Sequence, residues 1–398
     1  MSDSVKTEKV DYSASIPMGP LGIAAVPGCE ALVERVDAYL AMWRKDRDNE
    51  FAGYKKDSYV IDVDLPRFGS GEAKGVVNTS VRGDDLYIVA DVTNYSLTYK
   101  MYGIENCMSP DDHFQNLKRV IAGCMGKAKR ITVILPFLYE SRQHKRSARE
   151  SLDCAVALQE LVAMGVSSII TFDAHDPRVQ NAIPMTGFET TVPTYQFIKA
   201  LLRVEKDLQI DASHMMVISP DEGAVGRAIY FANMLGLDVG MFYKRRDYTK
   251  IVDGKNPIVA HEFLGTSVEG KDVIIVDDMI ASGDSVIDVA KQLKARKARK
   301  VFVCASFGLF TKGMGVFDKA VEEGLIDRIL TTNAIYQSPE TLSRSYYVSV
   351  DLSKYIALLI DTMNHDTTIE PLLSPTDRIQ RRLAEYKERQ RKEREEQK

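Results

Sequence analysis

The stretch VIIVDDMIASGDSVIDVAKQL, residues 273–293, decides the fold class. Val273 to Val276 is a short apolar run of the kind that forms a strand buried on both faces. Asp277 and Asp278 follow, where that strand is expected to end. Ala281, Ser282, Gly283, Asp284 and Ser285 make a turn of small residues. Val286, Val289, Ala290 and Leu293 then recur at the spacing of one helix face. Strand, turn and helix in this order build a parallel sheet, and in an open parallel sheet ligands sit at the carboxyl ends of the strands. A tight loop opening a helix presents backbone N–H groups, and the helix dipole favours an anion there. Ser282 and Ser285 add hydroxyl donors. Two carboxylates before such a loop suit neutral hydroxyls, as on a ribose ring, or a hydrated Mg²⁺. The same pattern also serves a plain Asx-type turn with a helix cap, and it lacks the G-K-[ST] ending of a Walker A loop.

The rhythm extends in both directions. Strands are expected at Leu21–Val26, Tyr59–Val63, Leu86–Ala90, Ile131–Pro136, Ser168–Phe172, His214–Ser219, Val239–Tyr243 and Val301–Ala305. Helices are expected at Cys29–Trp43, Phe114–Met125 and Ser151–Met164, and Asp46–Asp57 reads as a surface loop. Alternating strands and helices imply parallel sheets with helices on both faces. Ile183 to Tyr195, with two prolines and a glycine, is the expected crossing between domains. The reading divides the chain into a loose N-terminus over 1–18, an α/β domain over 19–190, a second over 191–376 and a charged tail over 377–398. Ile379, Leu383 and Tyr386 form one brief apolar stripe in that tail, which is read as partly helical and solvated.

With 398 residues, the chain is long enough for two domains, each with its own core. A net charge of −4 provides no general basic field, which argues against a nucleic-acid partner. The five cysteines are scattered and include no C-x-x-C pair, so neither a disulfide framework nor a zinc site is expected. The N-terminus lacks the apolar core of a signal peptide and no run is long enough to span a membrane. A cytoplasmic protein is the expectation.

The element at 273–293 resembles the PRPP-binding motif shared by PRPP synthetases and type I phosphoribosyltransferases. The resemblance implies that Asp277 and Asp278 hold ribose hydroxyls and that Ala281, Ser282, Gly283, Asp284 and Ser285 cradle the phosphate of ribose 5-phosphate. Further stretches are similar to the ribose-phosphate pyrophosphokinase (PRPP synthetase) family. RITVILPFLYESRQHKRSARES, from Arg130, looks like its strand and basic ATP-binding segment, with Arg142 and Gln143 on the pattern. In ITFDAHDPRVQNAIP, from Ile170, His175 matches a Mg²⁺-linked histidine of the ATP site. In MVISPDEGAVGRA, from Met216, Asp221 matches an acid near the metal and pyrophosphate. FYKRR, ending at Arg246, brings Lys244 and Arg246 onto a mobile catalytic arm that a long polar stretch to Gly270 would form. FGSGE, from Phe68, implies Phe68 and Glu72 near adenine, across a subunit contact.

The resemblance runs from about Leu21 to Met363. It implies two tandem phosphoribosyltransferase-like domains, each a mostly parallel sheet flanked by helices. The implied activity is diphosphoryl transfer from ATP to ribose 5-phosphate with Mg²⁺, in dimers that build into hexamers. The chain departs from the family at Ala281, where an acid is usual, at Asp284, where a glycine is usual, and at Ser70. A carboxylate at position 284 would repel a phosphate, so Asp284 must point outward or meet a cation. Two other readings stay open on the sequence: a regulatory paralogue that binds nucleotide without turnover, and a phosphoribosyltransferase that consumes PRPP.

Overall fold

Runs rich in Val and Ile form the strands of two main sheets, and segments with apolar residues three and four apart form the helices. The structure is a computed structural model that describes residue 12 and residues 15–124, 126–246 and 258–396. The chain order begins β1 (Leu21–Ala25), α1 (Glu30–Lys45), β2 (Val60–Ile61), β3 (Val63–Asp64), β4 (Val76–Val77), β5 (Asp85–Val89), β6 (Thr98–Met101), β7 (Ile104–Cys107) and α2 (Pro110–Cys124). It continues with β8 (Arg130–Ile134), α3 (Asp153–Ala163), β9 (Ser168–Phe172), β10 (Gly187–Thr191), α4 (Thr194–Val204), β11 (Met215–Ser219), α5 (Val225–Leu235), β12 (Asp238–Arg246) and β13 (Ile258–Leu264). The last elements are β14 (Asp272–Ile280), α6 (Asp284–Ala295), β15 (Val301–Gly308), α7 (Gly315–Glu322), β16 (Arg328–Thr332), α8 (Pro339–Leu342), β17 (Tyr347–Val350), α9 (Ser353–Asn364), α10 (Glu370–Leu373) and α11 (Thr376–Glu396). Met125, the expected end of the second helix, lies outside the described residues.

Two compact units result. The first comprises 1–171, 176–190 and 353–373, and the second 172–175, 191–352 and 374–398. The chain changes unit between Thr190 and Thr191, inside the expected crossing, but 353–373 belongs to the first unit and not to the second domain drawn from the sequence. The physical reason is a buried polar seam. Arg44 of α1 donates to Asp361 and Asn364 of α9, and Asn364 also donates to Asp85 and to the Gly19 carbonyl.

In the first unit a six-stranded sheet runs β10-β9-β8-β5-β1-β2, with β2, β1, β5, β8 and β9 parallel along their shared pairings. Tyr12 is buried, stacks on His365 and bonds to Thr362, so this part of the expected loose N-terminus is anchored. Residues 1–11, 13 and 14 lie outside the described residues.

The second unit holds a seven-stranded sheet, β13-β12-β11-β14-β15-β16-β17, parallel except for the β12–β13 pair. Alternation along its strands separates two cores. Met215, Val217, Ile274 and Val276 face α4 and α5, whereas Met216, Ile218, Val273 and Ile275 face α6 and α7. The first of these cores also takes in Ile379, Leu383 and Tyr386 of α11. The charged tail is therefore not simply solvated: its stripe is core, and the charges occupy the remaining faces. β13 is a second departure, since the stretch before Gly270 was read as polar and open. Among the described residues, no helix is long and apolar enough to cross a membrane.

Candidate active site

β14 runs four residues beyond the expected strand, to Ile280, because Asp277, Met279 and Ile280 still pair with Ala305, Phe307 and Gly308 of β15. The two acids therefore sit within a rigid strand. Alternation buries Asp278 and leaves Asp277 partly exposed. Residues 281–283 turn, and α6 begins at Asp284, so Asp284 and Ser285 occupy its first turn. Gly283 has φ +91°, and a Cβ there would run into the Phe317 ring. This glycine is required by packing beneath the loop, whatever binds above it. The Asp284 carboxylate accepts from Lys312 Nζ at 2.6 Å and from Ser282 Oγ at 2.9 Å. It has met a cation, and Lys312 holds its carboxyl below the ordinary range.

The segment after β9 belongs to the same unit and converges on the acids. His175 Nδ1 lies 2.6 Å from Asp278 Oδ2. Asp173, buried and held at φ +44°, accepts from Arg227 Nε at 2.5 Å and from Ser306 Oγ at 2.6 Å. Arg227 Nη2 donates to the carbonyls of Ala174 and His175 and lies 4.0 Å from Asp278 Oδ2. Arg227 thus clamps the 173–175 segment against the strand that carries the acids. Asp221 Oδ1 accepts from the backbone N–H groups of Gly223 and Ala224, which fixes the turn into α5.

Charge divides the two acids. Burial, then the Asp278 charge and beyond it Asp221, push the Asp277 carboxyl well above the ordinary carboxylate range. Burial pushes Asp278 the same way, but the His175 hydrogen bond and the Arg227 charge outweigh it and hold that carboxyl low. Arg227, which meets Asp173 directly, is also near enough to feel the Asp277 charge.

The expected nucleotide-side residues lie in the first unit. Phe68 and Glu72 share one turn, closed by Phe68 N–H donating to the Glu72 carbonyl, with the Phe68 ring more than half exposed. Ser70 Oγ donates to the Glu72 carboxylate. Arg142 is exposed on the loop after β8, and Gln143 Nε2 donates to the Ser151 carbonyl. The first turn of α2 anchors both places. Asp112 pairs with Arg67 at 3.0 Å, and Asp111 accepts from Tyr139 Oη at 2.6 Å. Lys244 and Arg246 end β12, where the backbone pairs them with His261 and Ile258 of β13. The expected arm at 247–257 lies outside the described residues.

With that geometry in place, the comparisons are specific. A family model described as the N-terminal domain of ribose phosphate pyrophosphokinase matches residues 21–165, and one described as the phosphoribosyl synthetase-associated domain matches 249–373. A ribose-phosphate pyrophosphokinase of Vibrio parahaemolyticus is 28% identical over 317 residues, covering 79% of this chain and 91% of its own length. That of Pasteurella multocida is 28% identical over 320 residues, with the same coverage. The chain is a divergent member of the ribose-phosphate pyrophosphokinase family.

The crystal structure of phosphoribosylpyrophosphate synthetase from Mycobacterium smegmatis matches 87% of this chain and 99% of its own at a TM-score of 0.70, with 20% identity. The pyrophosphokinase fold is therefore retained at low identity. Three residues around the acid pair and the turn escaped the sequence reading. Arg227 left one signal, a lone cation in the apolar run Ala224–Ala232. Asp173 stands in the stretch ITFDAHDPRVQNAIP, but its left-handed backbone and its partner Ser306 belong to tertiary structure and were not visible there. Lys312 left no signal at all.

Proposed function

We propose that this chain transfers the β,γ-diphosphoryl group of ATP to the C1 hydroxyl of ribose 5-phosphate, giving PRPP and AMP. The observation that carries the reading is the acid pair Asp277–Asp278 near the end of β14, with His175 bonded to Asp278, Asp221 acting on Asp277, and the turn into α6 beginning at Ala281. The relatives named ribose-phosphate pyrophosphokinase, matched over most of their length, support it.

In this reading Asp277 and Asp278 accept hydrogen bonds from the ribose hydroxyls and orient C1-OH. Ala281, Ser282, Gly283, Asp284 and Ser285 receive the 5-phosphate at the N-terminus of α6. Phe68, Glu72, Arg142 and Gln143 hold the nucleotide. The C1 oxygen attacks the β-phosphorus, the bond from that phosphorus to the α,β-bridging oxygen breaks, and AMP leaves with the bridging oxygen. Lys244 and Arg246 neutralise charge on the moving group.

Mg²⁺ fits the residues present. Among the described residues, no group of three or more His, Cys, Asp or Glu side chains is arranged to hold a metal by itself. Mg²⁺ does not need one, because it is held through one or two protein ligands plus phosphates and water. Its chemistry there would be to neutralise phosphate charge. His175 and Asp221 would hold it, and the gathering of Asp277, Asp278 and Asp221 favours a cation there. Work in the cytoplasm, and assembly into dimers and a hexamer, belong to the same proposal.

The test is AMP formation by the purified full-length chain from ATP, Mg²⁺ and ribose 5-phosphate. Binding of both substrates without AMP would point to a regulatory subunit. Loss of PRPP that depends on a nucleobase would point to a phosphoribosyltransferase.

A further inference from the structure

We infer that Lys312 is a specificity-determining residue for the sugar phosphate, held in waiting by Asp284. This rests on the assignment of residues 281–285 to the phosphate of ribose 5-phosphate.

Lys312 is far from the phosphate loop in sequence but is fastened to it in space. Thr311 N–H donates to the Ala281 carbonyl at 2.9 Å, and Leu309 N–H to the Ile280 carbonyl at 2.9 Å. The connection between β15 and α7 is thereby sewn to the turn, and it carries Lys312 Nζ to within 2.6 Å of Asp284 Oδ2. Ser282 Oγ, a hydroxyl of the turn, donates to the same oxygen. The carboxylate thus occupies a hydroxyl and an ammonium at the place where a phosphate dianion would need both.

Such an arrangement gives the fold little. The two side chains are 54% and 64% exposed, and exposed pairs contribute almost nothing to stability. An acid in the first turn of a helix is favourable by itself, but that does not require a lysine brought from another connection. For ligand binding the pair matters more. A phosphate arriving at the turn meets the Asp284 charge, and Lys312 is the cation already in position to cancel it. On binding, the ammonium turns from the carboxylate to the phosphate or bridges the two. Asp284 and the phosphate then compete for one cation, so their effects on affinity must be coupled.

The coupling has a definite sign. Lys312→Ala removes the cation and leaves the carboxylate facing the dianion. Adding Asp284→Asn, which keeps the shape and removes the charge, should recover most of the loss. Ribose 5-phosphate and, separately, inorganic phosphate are titrated by calorimetry into full-length wild type, K312A, D284N and the double variant. Thermal unfolding of each serves as the folding control, with Lys312→Gln as a second variant. The expected result is weakening of roughly tenfold in K312A, recovery in the double variant and tighter binding in D284N. ATP affinity should stay constant across the set. If wild type binds ribose 5-phosphate and K312A binds it equally well, the inference about Lys312 falls alone. A double variant as weak as K312A would overturn it too. If wild type binds neither phosphate compound, the assignment of the loop itself is wrong and the inference falls with it.

Discussion

His175 Nδ1 meets Asp278 Oδ2 at 2.6 Å, so the segment leaving β9 and the acid pair on β14 form one unit of chemistry. An ionised carboxylate only accepts hydrogen bonds, so Nδ1 carries the hydrogen. In the neutral ring Nε2 then bears the lone pair, which is the form a divalent cation uses. Asp278→Asn should raise the Mg²⁺ concentration that half-activates AMP formation by roughly 10-fold or more, the usual effect of losing a residue that orients a metal ligand. An unchanged Mg²⁺ dependence, measured at saturating ATP and ribose 5-phosphate, would show that the ring's orientation is set elsewhere.

The seam between α1 and α9 is predicted to be a stability determinant of the first unit. Arg44 and Asp361 are both about 1% exposed, with 2.8 Å between Arg44 Nη2 and Asp361 Oδ1. Asp361→Ala would leave a buried guanidinium without its counter-charge, a change that costs about 3–5 kcal/mol. Urea unfolding of the full chain measures it. Replacing both partners with apolar residues, Arg44→Met with Asp361→Leu, should recover much of the loss. A single-variant cost below about 1 kcal/mol would mean that Asn364 alone satisfies Arg44.

Helix α11 offers a clear test of how a charged segment contributes to a core. Leu383 is 6% exposed and packs in the cluster that contains Phe197, Leu201 and Phe231. Tyr386 Oη accepts from Leu208 N–H and donates to the Glu205 carbonyl, so the helix is also held by hydrogen bonds. Leu383→Ala should destabilise the second unit by about 2–5 kcal/mol. A melting temperature within a degree of wild type would mean that the helix is displaced at little cost.

These elements also show what the sequence could and could not carry. The buried strands and amphipathic helices were legible because their patterns are local, and the strand–acid–turn–helix order at 273–293 was legible for the same reason. Ile379, Leu383 and Tyr386 were visible as a stripe, yet among so many charges nothing local said that a groove formed by α4 and α5 receives them. Asp361 and Arg44 are 317 positions apart, so their pairing, and with it the membership of α9, depends on tertiary structure. Gly283 was legible as one of the small residues of the turn, but the Phe317 ring that requires it was not. Lys312 and Arg227 act through space and were missed.

Acid should weaken the second unit partly through Glu205. Its carboxylate accepts from Lys300 at 2.8 Å and Arg328 at 2.9 Å, joining the end of α4 to residues at β15 and β16. Partial burial raises its proton affinity, but hydrogen bonds from these two cations outweigh that and set it below the ordinary value. A carboxyl with a lowered folded value adds stability above its unfolded value, about 4.3, and loses that contribution as the pH falls through the folded one. Glu205→Gln should therefore cost about 1–2 kcal/mol near pH 7, with the gap from wild type closing below about pH 4. A gap independent of pH would show that the side chain contributes packing and not charge.

Lys244 and Arg246 distinguish an enzyme from a subunit that only binds. Their backbone lies on the last residues of β12, paired with β13, so a rigid strand delivers them to the carboxyl end of the sheet. That is the edge where the β14 acids and the α6 turn lie, in the same unit. A cation that acts on charge developing during transfer matters more to rate than to binding, because the ground-state triphosphate is already held elsewhere. Lys244→Ala and Arg246→Ala should each lower kcat by about 10²-fold, the scale of losing one electrostatic donor. KM for ATP should move by much less, and circular dichroism should report an unchanged fold. Both variants turning over at the wild-type rate would remove these residues from the mechanism. A fall confined to KM would make them binding residues, with the moving diphosphoryl group neutralised by other side chains.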